Sequence, residues 1–168
     1  MSKVLVVCFS RSGTTRALGA KVAERLHADF EEIAEASNRS GVWGFARSLA
    51  DAVFKRDVHI NPLQHDVARY EIVVIGTPVW AGTASAPVRA WLASDRRKLP
   101  HVAFFCTQNA RGDIATFADM AKLVGKRPVA RCTVSRDFSV DDERRVVDMF
   151  VDRIERRLAR IADFEWAA

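Results

Sequence analysis

Val4-Leu-Val-Val-Cys-Phe9 runs directly into Ser10-Arg-Ser-Gly-Thr-Thr15, and then Leu18, Val22 and Leu26 recur at i,i+4 spacing. The first stretch is continuous, apolar and β-branched, which is what a parallel strand covered on both faces needs. The last has the periodicity of a helix with one buried stripe. The opening unit is thus strand, polar loop, helix, and the unit recurs along the chain. Ile72-Val-Val-Ile-Gly-Thr77 is another buried strand, closed by Pro78. A Gly/Ala/Ser/Thr-rich stretch follows to Ser85, and Val88, Trp91 and Leu92 mark a helix beginning near Pro87. His101 to Thr107 supplies the next strand, Gln108 to Asp113 a polar loop, and Ile114 to Val124 a helix ended by Gly125. Arg127 to Ser135 supplies the last strand, and Ser139-Val-Asp-Asp142 is a capping-box start to a helix with apolar residues from Val146 to Ile161 on one stripe. Asp29 to Ala34 reads as a weaker second strand, Glu35 to Val42 as a loop, and Gly44 to Lys55 as a helix.

Strands alternate with helices from end to end, with no internal repeat, low-complexity segment or linker. This predicts an α/β chain, residues 1–168 forming one domain, with a five-stranded parallel sheet between two helical layers. Ligands of such sheets bind outside the carboxyl ends of the strands, so the loops after strands one, three and four are the candidate site.

Composition bounds the function classes. The 168 residues are 49% hydrophobic and 28% charged, the balance of an ordinary folded chain. No apolar run approaches the ~20 residues of a membrane-spanning helix, and Val4 to Phe9 is too short for a signal-peptide core, so a cytoplasmic protein is expected. Cys8, Cys106 and Cys132 each fall inside an apolar run and read as buried free thiols; neither a CxxC pair nor a Cys/His cluster offers metal-ligand spacing. The net charge is +5 and the pI near 9.5. Much of the arginine lies between Arg144 and Arg160, interleaved with acids, and Asp141/Arg145 and Asp152/Arg156 have helical i,i+4 spacing. A solvated helix face accounts for that pattern, and no nucleic-acid partner is expected.

Ser10 to Thr15 offers backbone N–H groups at a helix N-terminus, hydroxyls from Ser10, Ser12, Thr14 and Thr15, and a turn-permitting Gly13. These would suit a phosphate, although Ser and Thr also favour such positions as simple caps. The letters fit neither GxxxxGK[ST] nor GxGxxG. A thiolate phosphatase loop starting at Cys8 would need Arg at position 14, which is Thr14.

These loops resemble the flavodoxin family. Its first loop is a Ser/Thr-rich turn of the S-x-[ST]-G-x-T kind, here Ser10-Arg-Ser-Gly-Thr-Thr15. Gly76-Thr-Pro-Val-Trp-Ala-Gly-Thr-Ala-Ser-Ala-Pro87 looks like the flavin-contacting loop of flavodoxin-fold reductases, and Cys106-Thr-Gln-Asn-Ala-Arg-Gly-Asp113 is a looser match to the loop that closes over the ring. The resemblance covers nearly the whole chain and the short-chain form, and it implies strand order 2-1-3-4-5 and noncovalent FMN. By carry-over, Ser10, Arg11, Ser12, Gly13, Thr14 and Thr15 would hold the phosphate. Thr77, Pro78, Val79, Trp80, Ala81 and Gly82 would flank the isoalloxazine from one side, with Thr107, Gln108, Asn109, Arg111 and Gly112 on the other. Trp80 either stacks on the flavin or caps the core; Arg11 either meets the phosphate or points into water.

No side-chain acid or base is assigned to catalysis, because flavin chemistry takes place at the ring. The chain departs from the acidic electron carriers of the family in being basic, and Arg111 would favour a reduced anionic ring if it faced N1 or O2. The implied function is an FMN-dependent oxidoreductase, taking electrons from NAD(P)H to a quinone-like acceptor. A one-electron shuttle that docks on a redox protein and a flavin-free domain for another phosphate ligand are the alternatives. Reductases of this fold often complete the site from a second chain, so a homodimer is among the expected partners.

Overall fold

The computed structural model describes residues 2–35, 58–109 and 111–166. Strand β1 (Val4–Cys8) leads into α1 (Thr14–Arg25) and β2 (Asp29–Glu32); a 3-10 turn (Val67–Arg69) precedes β3 (Ile72–Trp80) and β4 (Thr83–Ala84). Helix α2 (Ala86–Asp95), β5 (His101–Gln108), α3 (Asp113–Val124), β6 (Arg131–Ser135) and α4 (Val140–Trp166) complete the order. The expected loop over Glu35 to Val42 falls largely, and the helix over Gly44 to Lys55 wholly, outside the described residues.

Five strands run parallel in the order β2-β1-β3-β5-β6, the expected 2-1-3-4-5 arrangement. A sixth, β4, is an addition: two residues pair antiparallel with the end of β3, Trp80 against Thr83 and Val79 against Ala84. The expected stop at Pro78 is corrected as well. Strand β3 continues through Pro78, which stands opposite Thr107. Pairing with β1 ends at Gly76, so beyond that point β3 has one open side, and a residue without an N–H is tolerated at an edge. Strand β6 begins at Arg131, four residues later than expected, because the backbone over Pro128 and Val129 is still connecting, with the Val129 N–H on the Val102 carbonyl at 2.8 Å.

Alternate residues of the central strands feed two apolar layers. Leu5, Val7, Val73, Ile75 and Phe104 pack with α2 and α3, whereas Val6, Ile72, Val74 and Phe105 pack with α1 and with the Val147–Ile154 stripe of α4. At roughly 25 cal/mol per Å² of apolar surface removed from water, these layers are the main favourable term. Within the sheet the Phe105 ring of β5 lies over its partner Gly76 on β3, where an added Cβ would come 2.0 Å from that ring. The α4 start is capped as expected: Ser139 Oγ accepts the Asp142 N–H at 3.1 Å and donates to Asp142 Oδ2 at 2.6 Å. That second bond holds the Asp142 carboxyl below the usual carboxylate range. The Asp152–Arg156 pair forms on the outer face of α4 at 2.9 Å. Among the described residues no helix is long and apolar enough to cross a membrane.

Candidate functional site

Because β1, β3 and β5 are adjacent and parallel, their following loops meet at one edge of the sheet. The first loop closes on itself. Ser10 Oγ accepts the Gly13 N–H at 3.1 Å, Gly13 adopts φ 93°, and its carbonyl accepts the Ala17 N–H, which starts α1. A left-handed backbone is easy only for glycine, so Gly13 sets the sharp entry to the helix. The N–H groups of the first helical turn have no intrahelical acceptor, and the helix places partial positive charge there. Ser12 and Thr14 are exposed beside them, their hydroxyl oxygens 3.3 Å apart.

Thr15 stands apart from the other hydroxyls. It is buried, with its Oγ1 2.7 Å from Thr107 Oγ1. That bond ties α1 to the end of β5, so the side chains of Thr15 and Thr107 brace the site from within. Arg16, next along, reaches Glu32 at 3.5 Å.

The second loop is a two-residue hairpin. Trp80 and Thr83 pair across Ala81 (φ 49°) and Gly82 (φ 74°), both in the left-handed conformation that a type I′ turn demands. Thr77, fully buried, fastens its base: Oγ1 accepts the Ser85 N–H at 2.9 Å and lies 3.1 Å from Ser85 Oγ. Thr83 Oγ1 lies 3.0 Å from the Trp80 carbonyl. Trp80 itself is only 8% exposed and meets Phe9 edge-on, ring centroids 5.8 Å apart at 85°. Of the two readings of Trp80, this burial matches the core cap: its ring closes the core beneath the hairpin, where a large aromatic surface is best buried. Ala81, half-buried Val79 and Gly82 form the accessible part of this loop.

The third loop packs on the second. A Cβ at Gly112 (φ 120°) would come within 2.9 Å of Val79 Cγ1 and 3.1 Å of Gly82 Cα, so only glycine allows this approach. Asn109 and Arg111 are exposed, and Pro78 pairs with Thr107 at the shared floor. Among the described residues Gln108 Oε1 is buried without a hydrogen-bond partner. Two residues that sequence reasoning missed also shape this edge. Ser85 completes the Thr77 network, and Asp113 Oδ2 accepts from Thr133 Oγ1 at 3.0 Å, linking the third loop to β6. Neither carries a local signal, since both are ordinary turn or cap residues in the sequence.

The thiols beneath these loops are inert. Burial pushes Cys8, with Glu32 nearby adding to the effect, and likewise Cys106, up to about 12; Cys132 behaves the same way. All three are free and buried, as expected. A neutral thiol at Cys8 cannot serve as a phosphatase nucleophile.

Solved structures supply the comparison. The chain superposes on a flavoprotein from Lactobacillus acidophilus solved in complex with FMN, with a TM-score of 0.68 at 17% identity, covering 89% of this chain and 99% of that one. The architecture is the flavodoxin fold. A protein from Bacteroides eggerthii described as a flavoprotein gives a TM-score of 0.73 at 21% identity over 90% and 97% of the two chains. A flavodoxin from the domain Archaea gives 0.56 at 16% identity over 91% and 97%. No family model and no curated protein matches the sequence.

The flavodoxin fold brings a specific question to this edge, namely whether its residues suit FMN. A phosphate needs donors, and Ser12, Thr14 and the first-turn N–H groups of α1 are donors at one end. A flat heterocycle needs a small-residue surface to lie against and backbone groups at its edge, and the other end offers Val79, Ala81 and Gly82 of the hairpin with the third loop packed beside them. The exposed donors at one end and the accessible hairpin at the other fit the group.

Proposed function

We propose that this protein binds FMN noncovalently across its carboxyl edge and transfers electrons through it. The observation that carries this reading is the exposed Ser12 and Thr14 hydroxyl pair at the start of α1, on a fold shared with a flavoprotein solved with FMN. Ser12, Thr14 and the start of α1 hold the phosphate by charge-assisted hydrogen bonds, each about twice as strong as a neutral one. Ser10 and Gly13 set the loop, and Thr15 with Thr107 keeps it in place. Val79, Ala81 and Gly82 form the surface against which the ring lies, with Gly112, Asn109 and Arg111 of the third loop beside it.

FMN would supply the one- or two-electron redox step at its ring, while the protein positions and tunes it. The tuning groups are few. Arg111 is the one cation of the ring loops, and it stabilises negative charge developing on the ring, which raises the potential. That favours an oxidoreductase that accepts electrons from NAD(P)H and delivers them to a quinone-like acceptor. The test is anaerobic mixing of the FMN-loaded protein with NADH or NADPH. Rapid loss of the yellow absorbance supports the reductase. A colour unchanged by either donor overturns it and leaves the one-electron shuttle.

A further inference from the structure

The first turn of α1 carries a cation where a helix ordinarily carries an acid. Helices place partial positive charge at their amino ends, so acids are stabilising there. The rule holds for α4, which opens with Asp141, Asp142 and Glu143, and for α3, which opens with Asp113. Helix α1 has no acid in its first turn, and its third residue is Arg16. In a helix each Cα–Cβ bond tilts toward the amino end, so a long side chain at that position can reach back over the helix start. The Arg16 guanidinium does so: a Cβ built on Gly13 would lie 3.5 Å from its Nη2.

Two further observations put this charge at the carboxyl edge. Arg16 Nη1 is 3.5 Å from Glu32 Oε2, and Glu32 stands opposite Cys8, the last residue of β1. The Cys8 thiol senses both charges: besides the dominant effect of burial, Glu32 raises its pKa and Arg16 lowers it. The ion pair itself is loose. Its separation is long for a charged hydrogen bond, and the Arg16 side chain is 59% exposed, so water screens the pair and it adds little to stability. Glu32 thus offsets the guanidinium while leaving it accessible above the loop.

We infer that Arg16 makes the first loop select a phosphate monoester, and so FMN over riboflavin, which has the same ring and no phosphate. The role rests on FMN occupying the carboxyl edge. Ser12, Thr14 and the first-turn N–H groups are dipoles, which hold an anion without neutralising it; Arg16 adds a full charge in a planar fork that matches phosphate oxygens. A phosphate dianion attracts the guanidinium more strongly than one carboxylate does, so Arg16 turns from Glu32 to the ligand. Glu32, left beside the loop, repels the same anion and holds the affinity down.

The experiment titrates the purified protein with FMN and with riboflavin, each followed by flavin fluorescence. The parent, Arg16→Gln and Glu32→Gln are compared, with folding checked by circular dichroism. Arg16→Gln is expected to weaken FMN at least tenfold while leaving riboflavin within about twofold of the parent. Glu32→Gln is expected to tighten FMN about threefold, with riboflavin again unmoved. Added sodium chloride should weaken FMN binding by the parent more than by Arg16→Gln, because exposed charges are screened. FMN affinity unchanged in Arg16→Gln, or a loss equal for the two flavins, overturns the Arg16 role and leaves the FMN reading intact. A parent protein that binds neither flavin overturns both.

Discussion

At the carboxyl edge, the loop from Ser10 to Thr15 leaves Ser12 and Thr14 exposed and beside a helix start, whereas the hairpin from Thr77 to Ser85 turns its hydroxyls inward, Thr77 to Ser85 and Thr83 to the Trp80 carbonyl. Both segments are rich in Ser, Thr and Gly. One is built to offer hydrogen bonds to a ligand; the other uses them to hold a rigid turn over a buried indole. Composition alone does not distinguish a binding loop from a braced one. What distinguishes them is whether the hydroxyls stand exposed beside a helix start or are turned inward onto the hairpin's own groups.

The largest loss should come from alkali, which attacks the floor common to both loops. Cys8, Cys106 and Cys132 keep their protons to about 12 in the folded chain, against an ordinary thiol value near 9 in the unfolded one. Between these values the unfolded chain binds fewer protons, so stability is intact below pH 9 and falls as pH rises toward 12. Tyr70, pushed up to about 12 by burial and its bond to Asp29, adds to the fall above pH 10. Urea midpoints measured from pH 7 to 11 should hold flat to 9 and then drop. A midpoint unchanged at pH 11 would mean the thiols are not buried as described.

Next in size is Gly112→Ala, which puts a Cβ into the hairpin at a left-handed φ and should cost on the order of 3 kcal/mol. Thr77→Val leaves the Ser85 N–H and hydroxyl unpartnered and should cost about 2 kcal/mol. The corresponding change in the other loop, Ser12→Ala with Thr14→Ala, should leave stability within about 0.5 kcal/mol, since neither hydroxyl supports the fold. Equal stability losses from the Thr77 and Ser12/Thr14 changes would erase the distinction between the loops. The smallest effect is a gain: Ala81→Gly relieves a left-handed alanine and should stabilise by about 1 kcal/mol, read as a higher thermal midpoint.

Much of this was legible in the sequence. The apolar runs at Val4, Ile72 and His101 gave the buried parallel strands, and helical spacing after each gave the layers, because both signals are local and repeated. The extension of β3 past Pro78 was not legible, since it depends on β1 having ended beside it. The strand β4 was hidden for a related reason: Ala-Gly is a weak hairpin signal beside Asn-Gly, and Ala81 takes its φ from the pairing of Trp80 with Thr83. In the candidate site, the three loops were readable from their letters. That Thr15 faces Thr107 across 92 positions, or that Trp80 leans on Phe9, is set by tertiary packing and has no local trace.

The central claim is that the carboxyl edge holds FMN with its phosphate on Ser12, Thr14 and the start of α1. Titration of the purified protein with FMN, followed by flavin fluorescence, tests it directly, with Ser12→Ala/Thr14→Ala run alongside. Saturable one-to-one binding by the parent, weakened at least tenfold in a double variant of unchanged thermal midpoint, is the predicted result, about 1.4 kcal/mol or more of lost phosphate contact. A folded parent protein that leaves FMN fluorescence untouched would contradict it.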